Sequence, residues 1–319
     1  QVSGSTRRCA FIAWAPCGRS QHRQYVFCTA DGPVMRIHKL NFDRGSLSYR
    51  MATETFVLPS SGFVRNYSDG FVESSGVFLV ATTDAGEFTV FNISSGVFRH
   101  TLRLFGSRAL CMAPLENGEV LVGSSNGTIS VVGGRDLEWS EKRQTTVPGA
   151  VLNVCPGLGK NLLVTTQSGE LFDMNADTLE KSLISSNPTC SITAVAFRPG
   201  DSETALTLTA TGCIHAWSLG DYTLLQNIKC AKDAGTCMAV RGDRVYTGWA
   251  TGGILVHEMS GTPMTLKPVL HIPNAHRGAV TTISVNEYGI VSGGIDCVVR
   301  VWHRTSGQMV MQFTDHSEP

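Results

Sequence analysis

The chain has 319 residues, 42% of them hydrophobic and 16% charged, and its 26 basic residues balance its 26 acidic ones. A zero formal charge argues against a protein that acts on nucleic acid or anionic lipid, because those partners are held largely through their phosphates and need a basic excess. The apolar content is too high for a disordered chain, and no apolar run reaches the roughly 18 residues of a membrane-spanning helix.

The first apolar segment, Cys9–Ala15, follows Arg7-Arg8, an order that a signal peptide also shows. The segment passes directly into Pro16–Gly18, so that a strand is followed by a turn. Because the same order of strand and turn recurs along the chain, we interpret this segment as the first strand of a domain.

An internal repeat organises the rest of the sequence. A small or polar residue is followed by a turn residue, usually glycine, and then by a short alternating strand, which is a hairpin signal. The pairs are Asp31-Gly32, Ala85-Gly86, Asn126-Gly127, Ser168-Gly169, Thr211-Gly212, Thr251-Gly252 and Asp296-Cys297. Their spacing averages about 44 residues, which is the period of a four-stranded propeller blade.

Each unit has roughly the same order of elements. In the fifth unit, an apolar strand at 194–197 precedes a turn, a second strand at 205–209, a third at 213–217 and a weaker fourth at 222–226. No segment carries a long apolar pattern at helical spacing. We therefore predict an all-β fold, a β-propeller of seven four-stranded blades, with four plus three blades from two adjacent propellers as the alternative. The predicted units lie near 1–55, 56–105, 106–145, 146–187, 188–232, 233–272 and 273–319.

The seventh unit carries His276, Ser292, Asp296 and Trp302 at the spacing of the hydrogen-bonded tetrad of WD repeats. In that tetrad a turn carboxylate holds the imidazole, the imidazole bonds a strand hydroxyl, and the hydroxyl bonds the indole N–H, so each buried polar group has a partner. The chain thus resembles the WD-repeat proteins, which implies a WD40-type propeller. A catalytic pair of His276 and Asp296 is disfavoured, because no nucleophile or oxyanion donor is identifiable beside it.

The fifth unit contains part of the same pattern. It keeps the hydroxyl, Thr207, and the indole, Trp217, but has Thr211 in place of the carboxylate. In the sixth unit His257 falls at the tryptophan position, and we interpret it as structural. The other units keep little more than the turn and an apolar third strand, so we expect packing to hold those blades.

A more specific resemblance rests on the segments Ile272–Thr281, Val291–Gly294 and Val299–Trp302, and on the earlier segments Leu121–Ser124 and Val245–Gly248. Together they resemble the cilia- and flagella-associated protein 52 family, also called WD repeat protein 16. The WD repeat protein 90 family of the centriole wall has similar units. Members of the first family resemble two propellers in tandem with about fourteen units, so we expect this chain to be part of a longer protein.

The family resemblance implies a non-catalytic scaffold in the cytoplasm, in the cytoskeleton of the cilium or flagellum. Such a protein lies in the axoneme and contacts tubulin and neighbouring inner proteins of the doublet microtubule, or the centriole wall in the related family. The alternative is a cytosolic peptide-binding adaptor, such as a substrate receptor of a ligase or a signalling scaffold. A propeller hydrolase with a metal on its axis is a third and weaker candidate.

We expect no catalytic residue, cofactor, metal or small-molecule substrate, and no nucleic-acid or membrane partner. The ten cysteines form no C-x-x-C pair and no zinc-type cluster, and most stand in apolar runs. We interpret them as buried free thiols.

Propellers bind partners through the loops on their faces. The loops that enter the first strands contain Arg65, Arg108, Thr189 and Arg277, which are our candidate interface residues. Since tubulin is acidic, exposed arginines in these loops could dock on it, although solvated loop charge is the commoner explanation.

Overall fold

A computed structural model describes residues 9–16, 24–43, 45, 48–58, 65–134, 138–186, 190–198, 200–201, 203–230, 233–261 and 264–314. The described residues form strands, turns and loops, without a helix. Within those ranges, therefore, no helix has the length and hydropathy needed to cross a membrane.

The 28 strands form seven antiparallel sheets of four consecutive strands each, so that every blade is built from one continuous stretch of chain. Blades 1 to 4 comprise β1 Cys9–Trp14, β2 Gln24–Asp31, β3 Val34–Asp43, β4 Ser48–Thr55, β5 Tyr67–Val72, β6 Phe78–Thr83, β7 Glu87–Asn92, β8 Val97–Arg103, β9 Ala109–Pro114, β10 Val120–Ser124, β11 Thr128–Gly133, β12 Ser140–Thr146, β13 Val151–Pro156, β14 Asn161–Thr166, β15 Glu170–Asn175 and β16 Lys181–Ser186. Blades 5 to 7 comprise β17 Ile192–Phe197, β18 Thr204–Thr209, β19 Cys213–Ser218, β20 Leu224–Lys229, β21 Gly235–Arg241, β22 Arg244–Trp249, β23 Ile254–Ser260, β24 Thr265–Ile272, β25 Val280–Val285, β26 Gly289–Gly294, β27 Val299–His303 and β28 Met309–Phe313.

Burial explains the different composition of the strands. The second strands β10 and β26 are buried at every position, because blades pack against both of their faces, and they read as continuous apolar or small runs. The fourth strands lie at the outer edge and meet solvent. In β8 exposed residues alternate with half-buried ones, and β12 carries charges that protect the open edge.

The hydrophobic core is divided into seven clusters, one at each junction between neighbouring blades. At the junction of blades 7 and 1, for example, Phe27 packs with Val291, Val299 and Phe313. A blade is a thin sheet that cannot bury its apolar faces alone, so each needs a neighbour on both sides. The seven sheets therefore form one ring, as predicted, rather than parts of two.

Side chains of the inner strands tie the blades together around the channel. In every blade the pairing of the first and second strands shifts register once near the start of the first strand. Such a bulge turns an extra side chain out of the ladder. Three of these side chains donate to a main-chain carbonyl of the next blade: Ser68 to Ala109 (2.6 Å), Thr236 to Val280 (2.5 Å) and Thr281 to Cys9 (2.9 Å).

The ring has two faces. The upper face carries the loops between blades, such as residues 104–108 and 273–279, and the hairpin turns between second and third strands. The lower face carries the connections between first and second strands, such as 241–243, and between third and fourth strands, such as 304–308. The nine described cysteines form no disulfide, and Cys17 lies outside the described residues. Cys9, Cys28 and Cys111 are buried as predicted, whereas the other six are half-buried.

Blade 1 differs from the others in the length of its third strand, β3, which has ten residues. Pairing in β3 and β4 continues out to Phe42 with Tyr49 and Asp43 with Ser48. The first unit is also the longest in the sequence, with 54 residues between Gly32 and Gly86. Much of this extra length extends the hairpin, because antiparallel pairing satisfies backbone groups that a loop would leave to solvent.

Candidate functional site

The structure brings the four tetrad residues of blade 7 together. The ring nitrogens of His276 lie 2.7 Å from Ser292 Oγ (Nε2) and 2.9 Å from Asp296 Oδ1 (Nδ1). Trp302 Nε1 donates to Ser292 Oγ at 2.8 Å. Because the hydroxyl accepts from the indole, it donates its own proton to Nε2, which leaves the imidazole proton on Nδ1 for Asp296. This assignment matches the donors and acceptors from the indole to the carboxylate. Arg300 Nη1 also lies 2.9 Å from His276 Nδ1, but since both of these nitrogens carry protons, the hydrogen bond from Arg300 goes to Asp296 Oδ2.

Two further groups hold the carboxylate of this tetrad. Asp296 Oδ2 accepts from the main-chain N–H of Arg277 at 3.0 Å and from Arg300 Nη1 at 2.8 Å. Burial raises the pKa of Asp296, but the bonds from Arg277, Arg300 and His276 outweigh it and lower that pKa to about 2. Burial lowers the pKa of His276, with Arg300 adding to the effect and Asp296 opposing it. At neutral pH the carboxylate is charged and the imidazole is neutral.

The tetrad is consequently a structural device. Both ring nitrogens of His276 are occupied by the network, and its side chain is buried. A general base must offer a free nitrogen to the group it deprotonates. The geometry thus agrees with interpreting His276 and Asp296 as part of the framework.

Blade 5 has the shortened network expected of a partial tetrad. Trp217 Nε1 donates to Thr207 Oγ1 at 3.0 Å. Thr211 cannot act as the missing carboxylate; its hydroxyl lies 3.0 Å from Thr209 Oγ1 and 3.3 Å from Cys190 Sγ.

Blade 1 contains a variant of the same network that sequence reasoning missed. His38 stands at the tryptophan position, and its Nε2 lies 2.9 Å from Thr29 Oγ1. Its Nδ1 lies 3.1 Å from Thr53 Oγ1 in the fourth strand, and its ring stacks on Phe27 and Phe313. The available signal was the hydroxyl nine residues before the histidine, a separation close to that of Thr207 and Trp217.

The remaining blades show why the fold is kept where the tetrad residues are absent. At the positions of Ser292 and Trp302, blades 2 to 4 have only apolar residues: Ala81 with Phe91, Val122 with Val132 and Val164 with Met174. Polar partners are thus present or absent together, which avoids leaving a buried group unpaired. Blade 6 differs: Thr247 accepts from Trp249 Nε1 at 3.1 Å, and His257 Nδ1 is buried without a protein partner.

The predicted interface residues fall in two groups. Arg108 and Arg277 are exposed on the upper face, in the loops that enter blades 3 and 7. Arg65 is half-buried and donates from Nε to Glu87 Oε2 at 2.6 Å, so its charge is already neutralised. Thr189 lies outside the described residues.

The described part of the ring has several cavities on its lower face. Two open beside the axis: one of about 430 Å³ is lined by Trp14 and Val285, and the other, of about 410 Å³, by Leu158 and Phe197. A third, of about 260 Å³, lies between blades 2 and 3. The described residues contain no group of three or more histidines, cysteines, aspartates or glutamates placed to hold a metal ion.

These features define the class of the protein: a seven-bladed β-propeller, consistent with a WD-repeat protein. No protein-family model and no curated protein matches the chain. Among solved structures, the β-propeller domain of Cps50 (Swd1) from Myceliophteria thermophila is similar, with a TM-score of 0.69 and 11% identity over 77% of this chain and 86% of that one. The computationally designed protein Ika8 has a TM-score of 0.67 and 18% identity over 98% of this chain and 88% of its own. At these identities the likeness concerns the fold alone.

Proposed function

We propose that the chain is a non-catalytic scaffold that binds protein partners through the loops of its propeller. The observation that carries this proposal is the saturated network around His276. In the described part of the chain, the histidine and aspartate pair with a catalytic appearance, His276 and Asp296, is bonded to Ser292 and through it to Trp302 inside the fold. What the ring offers to other molecules is its two loop faces, carried on rigid sheets.

The specific role that we propose is in the axoneme of the cilium or flagellum, with tubulin and neighbouring inner proteins of the doublet microtubule as partners. The sequence segments Ile272–Thr281 and Val299–Trp302 support it through their resemblance to the cilia- and flagella-associated protein 52 family. The exposed side chains of Arg108 and Arg277 add two positive charges to the upper face. Such charges suit an acidic partner surface, since complementary potentials raise the rate and selectivity of association.

Cosedimentation with microtubules tests this role directly. We expect the protein to pellet with microtubules at low salt, and the double variant Arg108→Gln/Arg277→Gln to bind at least about fivefold more weakly. Arg99→Gln is the matched control, because Arg99 is exposed in the middle of the outer strand β8, away from both faces. Recovery of the full-length protein wholly in the soluble fraction after detergent extraction of cilia would contradict the axonemal role.

A second candidate, a peptide-binding adaptor, is favoured by the cavity between blades 2 and 3. Its apolar lining includes Phe71, Leu115 and Trp139, and the carboxylates of Glu73 and Glu116 also belong to it. This combination suits a peptide with an apolar side chain next to a lysine or arginine. Stable, stoichiometric partners recovered from cells that lack cilia, and lost with Leu115→Glu, would favour the adaptor over the axonemal scaffold.

A further inference from the structure

A cavity of about 530 Å³ opens on the lower face between blades 6 and 7. The β21–β22 hairpin contributes residues 241–244, and the connection after β27 contributes Arg304 and Thr305. The lining also includes Tyr246, whose side chain belongs to the core between the two blades and is 1% exposed. The cavity is therefore formed by two rigid elements and a buried aromatic residue.

The charges in this cavity are unbalanced. Its lining carries three guanidinium groups, from Arg241, Arg244 and Arg304, and one carboxylate, from Asp243. None of the ion pairs found among the described residues involves these three arginines. The Tyr246 hydroxyl faces Arg244 and Arg304: burial raises its pKa, and both guanidinium groups oppose that rise. The lining therefore carries an excess of two positive charges.

We propose that this arginine pocket binds the phosphate group of a phosphorylated serine or threonine in a partner protein. A phosphate monoester carries a charge of about −1.5 to −2 at neutral pH, which matches the excess of the pocket. Guanidinium groups bind phosphate through two parallel hydrogen bonds, and several can share one phosphate. A single carboxylate would neutralise only half of the excess.

The surroundings favour a protein segment over a lipid surface. Acidic side chains stand in other loops of the lower face, among them Glu73, Glu116 and Glu287. An anionic membrane or a long nucleic acid would be repelled by these carboxylates, whereas a phosphate on a peptide meets only the pocket. Arg241 also lines the cavity at the channel mouth beside Trp14 and Val285, so the peptide has an adjoining apolar surface.

The test uses capped phosphoserine and inorganic phosphate as probes, with calorimetry or nuclear magnetic resonance titration of the full chain. We expect both probes to bind in the millimolar range and capped serine not to bind. Arg244→Gln and Arg304→Gln should each weaken phosphoserine by about tenfold, the effect of losing a charge-assisted hydrogen bond. Asp243→Asn should strengthen it about two- to fivefold by removing the one repulsive charge. A merely structural role of Asp243 would not produce a gain.

The controls separate this pocket from the upper face. Arg108→Gln and Arg277→Gln should leave phosphoserine binding unchanged. If Arg244→Gln unfolds at a lower temperature than the wild type, Arg241→Gln takes its place, because Arg241 lies in an exposed hairpin. Binding that survives both Arg244→Gln and Arg304→Gln, or no binding of phosphoserine at tens of millimolar, overturns the proposal. The proposal is also overturned if the protein fails to bind phosphoserine but binds phosphatidylserine vesicles in a way that depends on these arginines. Microtubule cosedimentation is scored separately, so failure of the axonemal role does not affect this outcome.

Discussion

Thr281 in the last blade donates a hydrogen bond from Oγ1 to the main-chain oxygen of Cys9 in the first, at 2.9 Å. The bond crosses the junction where the two ends of the propeller meet. In this ring no strand is shared between the first and last blades, since each takes its four strands from one stretch of chain. Closure therefore depends on this bond and on the apolar cluster around Phe27 and Val291.

Removal of the Thr281 hydroxyl should weaken ring closure. We expect Thr281→Val to lower the free energy of unfolding by about 1 to 2 kcal/mol, because the Cys9 carbonyl loses its partner while the side-chain volume is kept. Urea unfolding measures the change. Thr281→Ser should be nearly neutral, and an equal loss in both variants would show that the hydroxyl does not matter.

The tetrad of blade 7 should contribute more to the free energy of unfolding than the partial network of blade 5. Ser292→Ala leaves both His276 Nε2 and the Trp302 indole without a partner inside the fold, so we expect a loss of about 2 to 4 kcal/mol. Thr207→Val leaves only Trp217, which is partly exposed and can reach water, and should cost about 1 kcal/mol. Chemical denaturation of both variants makes the comparison. Equal losses would contradict the network as described.

The turn residue of each blade should respond to substitution according to its surroundings. Gly127 has a φ of +86°, and an added Cβ would lie 2.1 Å from the Val147 oxygen. Gly127→Ala should therefore destabilise the fold by about 3 kcal/mol or more. Cys297, at the same turn of blade 7, already has a φ of +60°. Cys297→Gly should stabilise by up to about 1 kcal/mol in guanidinium unfolding, because glycine adopts this conformation without strain. A loss of stability in that variant would refute the argument.

Asp69 should make one junction between blades sensitive to pH. Its carboxylate accepts from the main-chain N–H groups of Met112 and Gly70, both at 2.8 Å. Burial raises its pKa to about 6, although these two bonds oppose the shift. Since the folded pKa exceeds the unfolded value of about 3.9, the stabilising effect of its proton is present below about pH 4 and is lost as the pH rises through 6.

The comparison of wild type with Asp69→Asn isolates this effect. Between pH 4 and 7 we expect the variant to gain about 1 to 2 kcal/mol relative to wild type, because it lacks the buried charge. Equilibrium unfolding at several pH values gives the difference. A parallel pH dependence of the two proteins would show that Asp69 titrates normally.

Asp296 should behave in the opposite way. Its folded pKa of about 2 is below the unfolded value, so its contribution is present above about pH 4 and is lost as the pH falls toward 2. At pH 7, Asp296→Asn should lower the free energy of unfolding by about 1 to 2 kcal/mol relative to the wild type. At pH 2 most of this difference should disappear. Thermal melts at these two pH values suffice. A loss of stability that persists at pH 2 would show that it does not come from the charge of Asp296.

The repeat and the number of blades could be predicted from the amino-acid sequence alone. Turn residues recur at a fixed period because each blade needs the same hairpin, and the local chemistry of glycine and of alternating strands can be read without knowing any distant contact. The tetrad of blade 7 could be predicted for the same reason. Its four members lie within 27 positions of one another, from His276 to Trp302, at a characteristic spacing.

Features that depend on how loops and neighbouring blades pack together could be seen only in the folded ring. The stacking of His38 on Phe313 could not be predicted, because Phe313 comes from the opposite end of the chain. The pocket shared by Arg244 of blade 6 and Arg304 of blade 7 was hidden for the same reason. The pairing of Arg65 with Glu87 lies within blade 2, but it depends on the path of the loop that enters the blade, which the repeat pattern does not specify. Periodicity specifies the elements of one blade, whereas the faces that blades present to each other and to partners arise when the ring closes. Closure places residues far apart in sequence within bonding distance, as it does Thr281 and Cys9.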